Sequence, residues 1–312
     1  MKDISVSIIT YNRKDILNRV IKSLERQTYP HEKFEVVVVD DGSTDGTVDY
    51  MKGVLDRTTC DIKYIRREEN MGTSVVRNVS LENAESPLVL FLEDDTIADE
   101  RLLEEHVQWH REWPDERVVV VGREVRDERS FATPFGHYVK DTSERFFDSV
   151  HRKKGGNDVD LYKGFITFNL SAKKRFIVNN GMFDPEFKYF SEDIELGYRL
   201  SKAGLEIKYN EKAVIFNHHP AYLEEYCRRN LNRGYYAVLF TRKHPEAVLA
   251  SMPAGAIKCR LKDAVYPLLL KAGDTLDRRG IALPRTIYRK ILDYYMEKGV
   301  RLALEGRPLS WE

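Results

Sequence analysis

The chain has 312 residues, 42% of them hydrophobic and 32% charged. That length suits one large domain with an appendage, and the composition excludes disorder as a description of the whole chain. Net charge is zero but unevenly spread: residues 220–312 carry 17 Lys and Arg against 10 Asp and Glu, whereas residues 1–219 carry 33 against 40.

Cys60, Cys227 and Cys259 lie far apart with no metal-ligand spacing and read as reduced thiols of a cytosolic protein. The start, MKDISVSIITYN, lacks the basic-then-apolar pattern of a signal peptide. No segment reaches the roughly 18–20 apolar residues of a membrane span. The run AVYPLLLKAG (264–273) is too short and holds a proline.

In chain order, ISVSIIT (4–10) reads as a buried strand. RKDILNRVIKSLERQ (13–27) is a helix with Ile16, Val20, Ile21 and Leu24 at helical spacing. FEVVVVD (34–40) is a second strand, its unbroken valines fitting a parallel strand covered on both faces. A helix over 43–55, a strand over 61–67, a helix over 72–84 and a strand over 86–95 complete β-α-β-α-β-α-β, the order of a doubly wound α/β sheet. A helix near 99–112 and a strand over 117–123 follow. Residues 124–164 read as an irregular surface excursion, and 165–174 resumes strand character. SEDIELGYRLSKAG (191–204) is a helix with Ser191 as N-cap and Gly204 as its stop. Two short strands are predicted over 205–219, then helices near 221–243, 257–278 and 285–305.

In open α/β sheets ligands bind beyond the carboxyl ends of the strands. Thr10-Tyr11-Asn12, Asp40-Asp41 and Glu93-Asp94-Asp95 all end strands and should converge on one edge. Neither a G-x-G-x-x-G turn nor a G-x-x-x-x-G-K-[ST] loop is present, which argues against Rossmann and P-loop enzymes. Carboxylates repel phosphate unless a cation stands between them, so LFLEDDT reads as a hard-cation site for Mg²⁺ or Mn²⁺, or else as a merely acidic turn.

Five motifs in order decide between these readings: SIITYNR (7–13), VVDDGSTDGT (38–47), NMGTSVVRN (70–78), LFLEDDT (90–96) and FSEDIELGYRL (190–200). Together they resemble a family 2 glycosyltransferase of the GT-A fold over roughly residues 4–219. The resemblance implies a doubly wound mixed sheet as catalytic domain (1–219) and leaves a helical C-terminal region (220–312) on the acceptor or membrane-surface side. It implies a nucleotide-diphosphate sugar donor, UDP favoured, with Mn²⁺ or Mg²⁺ as cofactor. Thr10 and Tyr11 would line the nucleobase pocket with Asn12 beside them. Asp41 would accept a hydrogen bond from the base. Arg77 would lie near the diphosphate, Glu93 and Asp94 would contact the donor, and Asp95 would be the principal metal ligand. Glu93 stands where the family's first aspartate is usual, which leaves the ribose contact open. Asp193 would be the general base of an inverting transfer, with Glu192 beside it. His218 or His219 would supply a further metal ligand, or else is an exposed strand-end histidine; His218 is preferred.

Residues 224–246 mix arginines with Tyr226, Tyr235, Tyr236 and Phe240. They read either as a helix packing its aromatics inward or as one facing an anionic membrane. The acceptor would be a saccharide or lipid-linked hydroxyl, no nucleic-acid motif is present, and the oligomeric state is open. The protein would be cytoplasmic, with peripheral contact at the cytoplasmic membrane face. Alternatives are a retaining transferase on the same fold, a nucleotidyltransferase, and a non-catalytic nucleotide-sugar-binding scaffold.

Overall fold

A computed structural model describes residues 2–126, 131–147, 162–217, 221–247 and 260–311. The chain divides into two compact units. The first comprises Met1–Asp127, Phe147–Lys188 and Glu192–His218; the second comprises Glu128–Phe146, Tyr189–Ser191 and His219–Glu312.

The first unit is built on strands β1 (Ile4–Thr10), β2 (Phe34–Asp40), β3 (Ile62–Arg66), β4 (Leu88–Glu93), β5 (Thr96–Ala98), β6 (Val118–Arg126), β7 (Asn169–Lys173) and β8 (Glu206–Asn217). Helices α1 (Lys14–Leu24), α2 (Thr47–Leu55), α3 (Thr73–Asn83) and α4 (Leu102–Glu112) connect the first strands. The strands form one sheet in the order β3-β2-β1-β4-β7-β6-β8-β5. β1, β2, β3 and β4 run parallel, β7 runs antiparallel to both neighbours, and β5 runs antiparallel to β8. The sheet is therefore mixed, as expected. Every residue of β2 is buried, because helices cover both faces and a valine run meets apolar neighbours on either side. Instead of two short strands, 206–217 form one, with a register shift where Gly122 pairs Asn210 and Arg123 pairs Val214. The residues between bulge, and the Asn210 side chain accepts the Lys212 N–H at 2.9 Å.

A hydrogen-bonded chain crosses from α4 to β7. Asn169 Nδ2 donates to the Ala213 carbonyl at 2.9 Å, so its Oδ1 accepts from His106 Nε2 at 2.9 Å. His106 Nδ1 then accepts from Ser171 Oγ at 2.8 Å, and Ser171 Oγ accepts from His110 Nε2 at 2.9 Å. Lys173 Nζ closes the chain on His110 Nδ1 at 3.4 Å. Every polar atom is used with both rings neutral.

The second unit contains α5 (Pro134–Phe147), α8 (Leu223–Lys243), α9 (Arg260–Arg278) and α10 (Arg285–Leu304); α6 (Lys174–Asn179) and α7 (Glu192–Lys202) belong to the first. Part of the expected irregular excursion is thus a helix. Thr133 caps it by accepting the Gly136 N–H at 3.0 Å, Pro134 holds its first position, and Phe135 and Val139 enter an apolar core with Leu223, Leu231 and Ile291. Helices α8 and α10 cross closely: a Cβ on Gly234 would lie 2.0 Å from the Met296 carbonyl, and one on Gly299 2.0 Å from that of Leu231. The aromatics of residues 224–246 turn largely inward, with Tyr236 and Phe240 buried. Arg228 and Arg229 pair with Glu224 and Glu225 one turn earlier. No helix among the described residues is long and apolar enough to cross a membrane.

The histidine chain has a consequence for stability. Burial lowers the pKa of His106 from 6.5 to about 4 and that of His110 to about 3, with Lys173 adding to the second shift. Between these values and 6.5 the unfolded chain binds protons that the folded chain refuses. Stability should therefore be present above about pH 6.5 and fall as the pH drops towards 4, by about 1.4 kcal/mol per pH unit for each histidine. Urea unfolding across this range checks it: His106→Asn should flatten the slope relative to the native chain.

Candidate active site

Parallel pairing brings the carboxyl ends of β1, β2 and β4 together. Thr10 is in register with Asp40, and Ile9 with Glu93. The two aspartates after the valine run divide their work. Asp40 is fully buried; it accepts the Ser43 N–H at 2.8 Å and the Tyr64 hydroxyl at 2.5 Å, so it braces the turn. Asp41 accepts the N–H groups of Met71 and Gly72 at 2.8 and 2.9 Å. Burial lifts its carboxyl above the ordinary value against the pull of those bonds. Gly72 has φ +90°, and a Cβ there would lie 2.8 Å from the Lys188 carbonyl, so glycine is required where α3 begins. The Thr73 N–H donates to that same carbonyl at 2.6 Å. The N–H groups at 71–73 are thus engaged within the protein.

Asn12 sits at φ 53° and ties β1 to the turn after β2: its N–H donates to Ser43 Oγ and its Oδ1 accepts the Thr44 N–H, both at 2.8 Å. Thr10 is buried and donates its hydroxyl to Asp94 at 2.8 Å. Tyr11 leaves 45% of its surface exposed, an aromatic face at the ligand edge.

Two arginines organise the carboxylates. Arg13 Nη1 reaches Asp94 at 2.9 Å and Asp95 at 3.3 Å. Asp94 is buried, and that burial raises its pKa from 3.8 to about 7 despite Arg13, with Asp95 adding to the rise. Arg77 is buried on α3; its guanidinium pairs with Glu93 at 2.6 Å and with Glu192, and lies 5.6 Å from the Phe183 ring centre. Arg77 therefore links the end of β4 to the start of α7 directly. Asp193, next along α7, accepts the Ile194 N–H at 2.7 Å. It keeps partial access to solvent but is surrounded by protein on most sides. Burial and then Glu192 raise its pKa, against Arg77. Ser191, expected as N-cap, has φ 65° rather than the extended backbone usual at that position.

The family resemblance assigned no role to Arg13, although it lies inside the first motif. Its signal was a cation directly after a strand end whose neighbours in the sheet end in carboxylates. His218 and His219 lie outside the described residues. No group of three His, Cys, Asp or Glu gathers as a metal cage among the described residues. The donor chemistry nevertheless fits a hard divalent cation. Glu93, Asp94, Asp95, Glu192 and Asp193 outnumber Arg13 and Arg77, and the excess negative charge contributes to the raised pKa values of Glu93, Asp94 and Asp193. Mg²⁺-type sites commonly use one or two carboxylates and complete themselves with substrate phosphates and water.

Comparison with known proteins agrees with this geometry. The model of "Glycosyl transferase family 2" matches residues 5–176, and the chain belongs to that family. It is 28% identical over 260 residues to an uncharacterised glycosyltransferase, YfnE, of Bacillus subtilis, covering 70% of this chain and 65% of the relative. It is 30% identical over 264 residues to validoxylamine A glucosyltransferase of Streptomyces hygroscopicus subsp. limoneus, covering 78% and 57%. The chain thus spans somewhat less than two thirds of the length of these curated relatives. The mannosyltransferase PcManGT from Pyrobaculum calidifontis, solved with GDP-Man and Mn²⁺, superposes with a TM-score of 0.65 at 16% identity, covering 98% of this chain and 88% of that one. TarS of S. aureus, solved with UDP-GlcNAc, gives 0.55 at 16%, covering 100% and 94%. These two likenesses establish the fold as the GT-A type.

Arg77 offers a direct test of the linkage. Replacing it with Met should strand two carboxylates and cost about 3–5 kcal/mol, the usual penalty for breaking a buried pair from one side. Equilibrium denaturation at neutral pH should show Arg77→Lys losing less, since one of the two pairs can re-form.

Proposed function

We propose that this chain is a metal-dependent inverting glycosyltransferase. It moves a sugar from a nucleotide-diphosphate donor, UDP favoured, to the hydroxyl of a saccharide or lipid-linked acceptor. The observation that carries the reading is the Arg77 bridge, which holds the Glu192-Asp193 pair beside the Glu93–Asp95 strand end. Donor-side and acceptor-side carboxylates are thereby fixed to one another. Residues 1–219 are assigned to donor binding and chemistry, and residues 220–312 to the acceptor or membrane side.

Tyr11 presents its exposed ring to the base, and Asp41 accepts from the base N–H. Asn12, Thr10, Asp94 and Arg77 shape and brace the donor pocket, with Glu93 turned towards the ribose. Asp95 would hold Mn²⁺ or Mg²⁺, with His218 as a further ligand. The cation, when bound, offsets charge on the departing diphosphate. Asp193 takes the proton from the acceptor hydroxyl as its oxygen attacks the anomeric carbon. That C–O bond forms as the bond to the diphosphate breaks on the opposite face, and the nucleoside diphosphate leaves. Because the Asp193 pKa is raised, the group is a stronger base than an ordinary aspartate. Transfer should therefore increase with pH above the usual carboxylate range, until Asp193 is fully ionised.

Calorimetric titration of UDP, GDP, CDP and dTDP, each with and without Mn²⁺, tests the donor site. One nucleotide should bind in a metal-dependent manner, and Asp95→Ala should abolish that dependence. Asp193→Asn should bind the same nucleotide but lose transfer by about 10²-fold or more. Wild-type turnover in that variant would remove Asp193 as the base. Absence of nucleotide binding altogether would favour a non-catalytic scaffold. Product NMR reads the stereochemistry directly, and a retained anomeric configuration would replace the inverting reading with the retaining one.

A further inference from the structure

Helix α9 carries two apolar stripes, and among the described residues only one has a partner. Tyr266, Leu270 and Gly273 face α8 and α10: Tyr266 stacks on Tyr294 at 4.5 Å, Leu270 is buried, and Gly273 brings the backbone close to Leu223 and Leu283. The other stripe is Val265, Leu268, Leu269 and Ala272, spaced i, i+3, i+4, i+7. Val265 is 39% exposed, Leu268 69% and Leu269 38%, and Ile281 just beyond the helix is 52% exposed. Single exposed leucines need no explanation, but a contiguous stripe does. A shallow depression of about 440 Å³ runs along this side, lined by Leu268, Lys271, Ala272, Thr275 and Leu276.

The charge around the stripe indicates what covers it. Residues 260–290 hold eight Lys and Arg against three Asp. All three aspartates are engaged within the unit. Asp263 accepts from Tyr294 and Arg301, Asp274 from Arg278, and the buried Asp277 from the Phe135 N–H and the Tyr288 hydroxyl. Lys271 and Arg279 are exposed and form no ion pair among the described residues. Lys271 stands on the stripe itself, where its stem can lie along apolar surface while the ammonium reaches a polar layer. Lys262, Arg278, Arg285 and Arg289 are paired with Glu297, Asp274, Asp141 and Asp293, so the face is apolar at its centre and its free positive charge is that of Lys271 and Arg279. Two copies pressed together through this face would oppose like charges, since a twofold contact pairs the same patch with itself. An anionic lipid surface matches both features.

We propose that α9 docks this protein onto an anionic bilayer, with Leu268 and Leu269 entering the headgroup–acyl boundary and Lys271 and Arg279 contacting lipid phosphates. The apolar run that is too short to span a membrane lies along one instead. Nothing in this depends on the donor chemistry, so failure of the nucleotide titrations leaves it standing.

Flotation of the 312-residue chain with vesicles tests it. One set is phosphatidylcholine alone and the other is phosphatidylcholine mixed with phosphatidylglycerol. The chain should float with the anionic vesicles at low salt, release as salt rises, and stay down with the neutral ones. Leu268→Glu should lower the bound fraction roughly tenfold with an unchanged circular dichroism melt, and Lys271→Glu should weaken binding chiefly at low salt. Leu55→Glu, at an exposed leucine of α2, is the control and should bind like the native chain. The proposal falls if the native chain ignores both vesicles, or if Leu268→Glu floats as well as native. It falls equally if sedimentation equilibrium finds a dimer that Leu268→Glu dissociates, which would give the face to a second copy.

Discussion

The constraint on which the site depends is a guanidinium that cannot be buried alone. Arg77 lies on α3, Glu93 ends β4 and Glu192 begins α7, 16 and 115 residues away along the chain. Removing this charge from water is tolerable only because two carboxylates receive it. The requirement runs both ways, since Glu192 is itself buried and faces other acids. Further bonds fix the helix that carries Arg77: Asp41 takes the Gly72 N–H, the Lys188 carbonyl takes the Thr73 N–H, and Ser74 donates to the Phe187 carbonyl at 2.6 Å. A continuous series of contacts thus leads from the end of β2 to Asp193. Displacing the start of α3 would displace the candidate base, although the two never touch.

Much of this was legible in the sequence because the signals were local. Four valines bounded by turn-formers can be little other than a central parallel strand, and parallel strands deliver their carboxyl ends to one edge. The positions of Asp41 and the Glu93–Asp95 run followed from that, whereas the start of α7 rested on Ser191 and the family motif around Asp193. What each side chain does there was not legible, because partners come from distant segments. Thr10 and Arg77 carry the polarity of ligand contacts, yet in the folded chain they hold Asp94, Glu93 and Glu192. Arg13 was passed over for the same reason: its role exists only once β1 and β4 are adjacent.

The second unit shows where periodicity misleads. Residues 134–147 looked irregular because their apolar positions are few and mixed with charge, yet Thr133-Pro134 is a helix-start signal that could have been read. Helix α9 continues through Pro267, as the helix expected near 257–278 requires, although proline inside a helix removes a backbone hydrogen bond. The close crossing of α8 and α10 depends on Gly234 and Gly299, whose effect on helix propensity alone would be unfavourable. At these positions tertiary contact outweighs local preference, because a methyl group would collide with backbone rather than with a movable side chain.

The five carboxylates differ in burial. Asp94 is held by Thr10 and Arg13, and Glu192 by Arg77; both are buried and belong to the framework. Glu93, Asp95 and Asp193 keep some exposure: Glu93 pairs with Arg77, Asp95 with Arg13, and Asp193 accepts the Ile194 N–H. Two arginines serve five acids, and burial together with neighbouring carboxylates raises the pKa values of Glu93, Asp94 and Asp193. On the proposed function, an edge built this way would repel a bare diphosphate and would accept one with a cation bound to it. Burial, and after it Glu192, keeps Asp193 more basic than an ordinary aspartate. On that reading, the excess of carboxylates over arginines, with their burial, would serve both donor capture and proton removal.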